Sequence, residues 1–181
     1  MIIIFTGNGK GKTTAALGQA VRAIGQGKRV LMIQFIKGPF ISGEHKFLKK
    51  FRITSSRFQI IRAGKGFVKI ASDKLPFSIH KKAAQRALVL AQKAIRSKKY
   101  DLIILDEINV AVSLGLINVT EVLRLLKEVR VSLRDSAPDL ILTGRSAPKS
   151  FIKLADIVTE IKEIKYPKGI GGYVPKKGIE F

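Results

Sequence analysis

An α/β fold, with a mainly parallel sheet and helices on both faces, is predicted by three features of the sequence. Short apolar runs alternate along the chain with longer stretches of helical spacing. The first run, Met1-Ile-Ile-Ile-Phe5, leads at once into Thr6-Gly7-Asn8-Gly9-Lys10-Gly11-Lys12-Thr13-Thr14, which reads as strand, glycine-rich loop and helix start. A later run, Leu102-Ile-Ile-Leu105, is apolar throughout and ends in Asp106-Glu107. That pattern fits a strand covered on both faces whose carboxyl end opens onto a site.

Each element follows from local chemistry. After the loop, Ala15, Ala16, Leu17, Ala20, Val21 and Ile24 recur at helical spacing until Gly25 and Gly27 end the helix. Arg29 to Phe35 predicts a second strand and Phe58 to Ile61 a third. Ser78 is placed to cap a long helix through Ser97, with Ala83, Ala87, Leu90, Ala91, Ala94 and Ile95 facing inward. Asn118 and Glu121 resemble a capping box opening a helix to about Arg130. Asp139 to Gly144 reads as a strand ending in a turn, Pro148 as the start of a short helix, and Ile157 to Ile164 as a final strand. The predicted organisation is one domain over residues 1–166, followed by a basic, glycine-rich tail over 167–181.

Composition narrows the function. A chain of 181 residues is long enough for one substantial core. It contains no cysteine, which excludes disulfides and thiolate metal sites. No apolar run reaches the length of a membrane span, and the expected location is the cytoplasm. The formal net charge is +21, and Glu44 and Asp73 are the only acidic residues in the first hundred. Such a surface favours an anionic ligand, but no reading motif or interleaved aromatic stripe singles out nucleic acid over a polyphosphate.

The loop carries the most specific signal. Its glycines let consecutive backbone N–H groups curl around phosphate oxygens, Lys12 adds a mobile cation, and the Thr13 hydroxyl is placed to reach an accompanying Mg2+. Thr6 stands where the general GxxxxGK[ST] template has glycine, so the loop is a variant. Asp106 and Glu107 supply the carboxylates such a loop needs for Mg2+, directly or through water, and spacing does not choose between them. A P-loop NTPase fold of the RecA-like type accommodates both motifs. Arg145, after Thr143-Gly144 at another strand end, is a candidate to grip phosphate oxygens, whereas Arg22 on the first helix reads by position as a solvated side chain. His45 and His80 lack ligand spacing and read as structural or exposed.

The loop from Thr6 to Thr14 resembles, nearly residue for residue, that of the ATP:corrinoid adenosyltransferases. The likeness continues through Arg22 within Ala20-Val-Arg-Ala-Ile-Gly25, Gln34-Phe-Ile-Lys-Gly38, Leu105-Asp-Glu107, Thr143-Gly-Arg145, Leu154 to Glu160, and Gly178-Ile-Glu-Phe181. The resemblance implies transfer of the 5′-deoxyadenosyl group from ATP to the cobalt of a reduced corrinoid, with triphosphate leaving. It further implies that Gly7, Asn8, Gly9, Lys10, Gly11, Lys12, Thr13 and Thr14 cradle the triphosphate and that Glu107 is the first choice for Mg2+. Arg22 and Arg145 would support nucleotide binding. Lys12, Thr13 and Arg145 would stabilise the charge growing on the leaving group. A homodimer and a reductase partner are implied as well.

Within the resemblance, Phe67 matches a phenylalanine that lies beside the corrin, while Lys69 occupies the position of a tryptophan. Many members carry an amino-terminal extension over the site; here the loop strand begins at Met1, and the basic tail from Lys168 is expected to provide cover. Two other classes share the loop. One is a RecA-like nucleoside kinase or NTP hydrolase; the other is an ATP-responsive nucleic-acid-binding module, suggested by the charge.

Overall fold

The computed structural model describes residues 1–38, 41–54, 56–68, 73–131, 137–165 and 176–179. Strands β1 (Ile2–Thr6), β2 (Val30–Gln34), β3 (Phe58–Arg62), β4 (Leu102–Asp106), β5 (Asp139–Thr143) and β6 (Ile157–Glu160) form one sheet. Their spatial order is β3-β2-β4-β5-β1-β6, and every pairing is parallel. The loop-bearing β1 is therefore separated from β4 by β5, and all the strand ends expected to carry chemistry open at one edge.

Alternation along the strands sorts the core into two layers. Ile2, Ile4, Leu31, Ile33, Ile103, Leu105, Leu140 and Leu142 face one side. They pack against α3 (Phe77–Arg96), α4 (Ile108–Ser113), α5 (Val119–Val131) and α6 (Lys149–Leu154). Ile3, Phe5, Val30, Met32, Leu102, Ile104 and Ile141 face the other side, covered by α1 (Lys12–Gly25) through Ala16 and Ala20, with Leu48 of α2 (Gly43–Lys50) packed against the same cluster. Helices on both faces explain why the central strands read as unbroken apolar runs.

Several local expectations change. Helix α3 starts at Phe77 behind Pro76, with no side-chain cap, so Ser78 lies inside it. The backbone before a proline's successor is already preset there by the fixed φ of Pro76. Leu88 enters the core and Leu90 is 40 % exposed, because the buried stripe of α3 runs His80, Ala83, Ala84, Ala87, Leu88, Ala91 and Ile95. Strand β6 stops at Glu160, four residues short of Ile164, and all four of its residues are exposed at the sheet edge. Helices α2 and α4, absent from the sequence reading, are short segments with too few turns to show a clear period.

The capping box at α5 forms in modified shape. The Asn118 N–H donates to Glu121 Oε2 at 3.3 Å, while Asn118 Oδ1 accepts the Thr120 N–H at 3.0 Å. His80 is buried against Asp73, with Nε2 3.0 Å from Oδ1, and His45 Nδ1 is 3.0 Å from the Ser42 hydroxyl. Both histidines thus have structural partners. Among the described residues, no helix is long and apolar enough to cross a membrane. The proposed tail boundary, with Lys168, falls outside the described residues, as does Lys69.

Candidate functional site

Three adjacent strands end in a polar residue of the same parity. Gln34 of β2, Asp106 of β4 and Thr143 of β5 each follow the apolar series that faces α1, and all three are fully buried. Gln34 and Asp106 are register partners. Asp106 Oδ1 accepts the Thr143 hydroxyl at 2.8 Å, and Gln34 Nε2 lies 3.4 Å from Asp106 Oδ2. The row continues upward into the loop, because the Thr13 hydroxyl also donates to Asp106 Oδ1 at 2.8 Å. Burial pushes the Asp106 carboxyl above its ordinary range, opposed by the charge of Lys37 and by the two threonine hydroxyls.

The loop glycines serve different steric needs. A Cβ at Gly7 would stand 2.4 Å from the Ile161 carbonyl oxygen, and one at Gly9 would stand 2.6 Å from that of Lys162. The chain leaving β6 therefore crosses directly over the loop, and the Gly9 N–H donates to the Ile161 carbonyl at 2.7 Å. Gly11 has open space but a φ of 114°, a conformation that side chains rarely adopt. It precedes α1, which has no acidic residue in its first turn and no side-chain cap. The first N–H groups of α1 are thus left for an anion.

Lys12 is only 7 % exposed, and its ammonium donates to the Gly9 carbonyl at 2.6 Å. Burial lowers its pKa, with Glu107 opposing that shift and Arg145 adding to it. Glu107 has a left-handed backbone, φ 63°, and its N–H donates to Thr143 Oγ1 at 2.9 Å. Burial and the neighbouring Asp106 push its carboxyl up to about 7, against the pull of Lys12, Arg145 and Lys37. A Cβ at Gly144 would lie 3.2 Å from Glu107 Oε2, so the β5 turn and the two carboxylates are closely interlocked. Asn109 Nδ2 donates to the Gly144 carbonyl at 3.2 Å and steadies the same turn.

The structure therefore brings Lys12, Thr13, Asp106, Glu107 and Arg145 to one end of the sheet around the loop of Gly7, Gly9 and Gly11. Asn8, Lys10, Thr14 and Arg145 are exposed around it, and Lys10 Nζ donates to the Ile179 carbonyl at 2.9 Å. Arg22 is not gathered in. It is exposed in the last turn of α1, about 15 Å along the helix axis from Lys12. Phe67 is 73 % exposed on the loop after β3, which excludes a core role for it in this chain. That loop is tied to the loop after β2, since the Gly66 N–H donates to the Ile36 carbonyl at 2.9 Å.

Sequence reasoning missed Gln34, Thr143 and Asn109 as parts of the site. A usable signal existed for the first two: each is a polar residue closing an apolar strand at the position whose parity faces the loop helix. Asn109 carried none, because its partner is a backbone carbonyl brought near only by the fold.

The donors around Thr13 are hard oxygens, suited to Mg2+ rather than to a soft metal. Among the described residues no group of three or more His, Cys, Asp or Glu forms a metal cage. A cation shared between a threonine, a carboxylate and substrate phosphates requires no such cage. Gln34 Oε1, buried without a hydrogen-bond partner among the described residues on an amide whose Nε2 lies 3.4 Å from this carboxylate, adds an unused oxygen acceptor. The residues present therefore fit the ion.

The family model described as ATP:corrinoid adenosyltransferase BtuR/CobO/CobP matches residues 1–181. The chain belongs to the ATP:corrinoid adenosyltransferase family. A corrinoid adenosyltransferase of Sinorhizobium sp is 35 % identical over 181 residues, covering 100 % of this chain and 80 % of the relative. The corrinoid adenosyltransferase of Escherichia coli (strain K12) is 34 % identical over 166 residues, covering 92 % of this chain and 78 % of the relative. The corrinoid adenosyltransferase CobA of Salmonella typhimurium is 32 % identical over 186 residues, covering 100 % and 85 % respectively. Membership of this adenosyltransferase family agrees with the all-parallel sheet and the loop at its carboxyl edge.

Proposed function

We propose that this chain transfers the 5′-deoxyadenosyl group of ATP to the cobalt of a reduced corrinoid and releases inorganic triphosphate. The observation that carries the reading is the convergence of Lys12, Thr13 and Asp106 at the loop in a chain of this family. In the reaction, the electron pair of cobalt(I) forms a bond to C5′, and the bond from C5′ to the triphosphate oxygen breaks. Carbon is attacked, so the protein supplies alignment and charge stabilisation rather than a nucleophile.

The residues divide that work. The N–H groups opening α1 and the Lys12 ammonium hold the triphosphate, and Lys12 exchanges its contact with the Gly9 carbonyl for phosphate oxygens. Arg145, exposed beside Lys12 and Glu107, takes charge at the leaving end. Thr13 and Asp106 hold Mg2+, which when bound neutralises triphosphate charge. The 2.8 Å bond from Thr13 supports Asp106 as the carboxylate nearer this ion, with Glu107 behind it against Gly144. Phe67 offers an exposed apolar face to the corrinoid. A homodimer in the cytoplasm, supplied with reduced corrinoid by a reductase, completes the proposal, with adenosylated cobalamin synthesis or salvage as its setting.

The tail belongs to the same reading as a cover for the cobalt. The contact of Lys10 with the Ile179 carbonyl supports it, because that bond sets residue 179 against the loop. A chain truncated after Tyr166 should transfer several-fold more slowly than the full chain in an anaerobic assay; an unchanged rate would remove the tail from the mechanism. The activity itself is tested by supplying ATP, Mg2+ and chemically reduced corrinoid without oxygen. Light-sensitive alkylated corrinoid and stoichiometric triphosphate are expected. ADP and phosphate with no alkylated corrinoid would point instead to the kinase or hydrolase reading.

A further inference from the structure

Gln34 is fully buried in the polar row, and its amide is held from two sides. Nε2 donates to Glu44 Oε1 at 3.0 Å and lies 3.4 Å from Asp106 Oδ2. Glu44 belongs to α2 and is itself fixed by Lys37, whose ammonium lies 2.5 Å from the same Oε1. Burial would raise the Glu44 carboxyl, but hydrogen bonds from Lys37 and Ser42 and the charge of Lys37 bring it to about 2. It is therefore ionised at any working pH.

That charge decides which way the amide points. Reversing the Gln34 side chain would set its carbonyl oxygen against the Glu44 carboxylate, so Nε2 must face the acids and Oε1 must face away from them. In that orientation Oε1 is buried with no hydrogen-bond partner among the described residues. A buried acceptor left unmatched is costly, and such groups in folded proteins are met by protein, water or ligand. Oε1 shares an amide carbon with the Nε2 that borders Asp106, which places it within one bridging water of that carboxylate.

We propose that Gln34 is a positioning residue of the Mg2+ and triphosphate site: its Oε1 accepts a hydrogen bond from a water of the hydrated cation, and Glu44 with Lys37 fixes the amide in the orientation that presents it. Gln34 then acts through a water rather than touching the reacting atoms. The arrangement also joins α2 to the site, because Glu44 carries the fixing charge from outside the sheet. This inference rests on the proposed Mg2+ site at Thr13 and Asp106.

The test uses Mn2+ as a paramagnetic stand-in, titrated by electron paramagnetic resonance into full-length protein holding ATP with no corrinoid present. Gln34→Met keeps the length and removes the amide. It should weaken Mn2+ about tenfold, the scale seen when an outer partner of a metal site is lost, while ATP affinity in the presence of EDTA stays unchanged. Glu44→Gln keeps shape and frees the amide to reverse, and should weaken Mn2+ about threefold. Unchanged Mn2+ affinity in folded Gln34→Met overturns the inference and leaves the Thr13 and Asp106 reading intact. If Gln34→Met does not fold, unchanged affinity in Glu44→Gln overturns it instead. A wild-type chain that binds Mn2+ no better than ATP alone would overturn both the inference and the metal site beneath it.

Discussion

At the amino end of the sheet, Arg29 meets Asp101 at 3.1 Å, the Met1 ammonium meets Asp139 at 2.9 Å and Lys28 reaches the same carboxylate at 3.6 Å. These groups are a third to a half exposed, and Lys28, Asp101 and Asp139 line an open cleft of about 520 Å3 together with Lys98 and Tyr100. At the carboxyl end, Lys12, Gln34, Asp106 and Thr143 are buried, and their pairings are made within the protein interior. The two ends use similar side chains under different solvation. Water screens the first set and makes each pair individually dispensable. The second set is deprived of water, so each lost partner leaves an uncompensated group, and each charge exerts a strong field on whatever enters.

Removing Lys12 should widen this contrast most. Lys12→Ala is expected to slow adenosyl transfer by roughly 100- to 1000-fold, as loss of one donor to a developing charge does, with little loss of melting temperature. Anaerobic formation of alkylated corrinoid measures the first and thermal unfolding the second. A variant that unfolds instead would show that Lys12 is held for the fold rather than for transfer.

Glu107 should separate the ends by pH. Its folded carboxyl is raised to about 7 from an ordinary 4.5, so between those values the folded state keeps a proton that the unfolded chain has released. Stability of the nucleotide-free protein therefore falls as pH rises from about 4.5 through about 7. Glu107→Gln removes that loss, and relative to wild type it should gain up to about 3 kcal/mol between pH 5 and pH 8 in denaturant unfolding. Equal differences at both pH values would show that the carboxyl titrates as an exposed one does.

Thr143→Val tests the row rather than a charge. It leaves Asp106 with one hydroxyl donor fewer and the Glu107 N–H without its acceptor, and should cost about 1–3 kcal/mol of stability. It should also lower transfer by misplacing both carboxylates. Arg29→Ala at the other end should change the melting temperature least of the four and leave transfer unaffected, because its partner is exposed to water. A large loss there would break the comparison outright.

The fold was legible because each central strand is an uninterrupted apolar run and β1 passes straight into a glycine-rich loop. Asp106 and Glu107 could be placed from those signals alone. Leu90 and Leu88 were confused because both lie near the edge of the apolar stripe of α3, where the direction of approach of the sheet decides which is covered. Strand β6 was overextended because Ile161 and Ile164 are as apolar as strand residues, while the backbone turns there to cross the loop. Gln34 and Thr143 were overlooked for another reason. Their importance depends on which strands are neighbours, and the order β2-β4-β5 is a property of the folded sheet.

The crossing of Ile161 over Gly9 has a consequence for how the chain is made. Strand β1 pairs only with β5 and β6, whose residues are synthesised more than a hundred positions later. A ribosome-bound chain that has emitted β1 to β4 holds a loop sequence without the strands that flank it or the carbonyl that braces it. The nucleotide cradle is thus one of the last features to be completed during translation, and it depends on contacts between distant parts of the chain. Nascent chains should accordingly have little grip on ATP, and a prematurely terminated product lacking β6 would be idle rather than partly active.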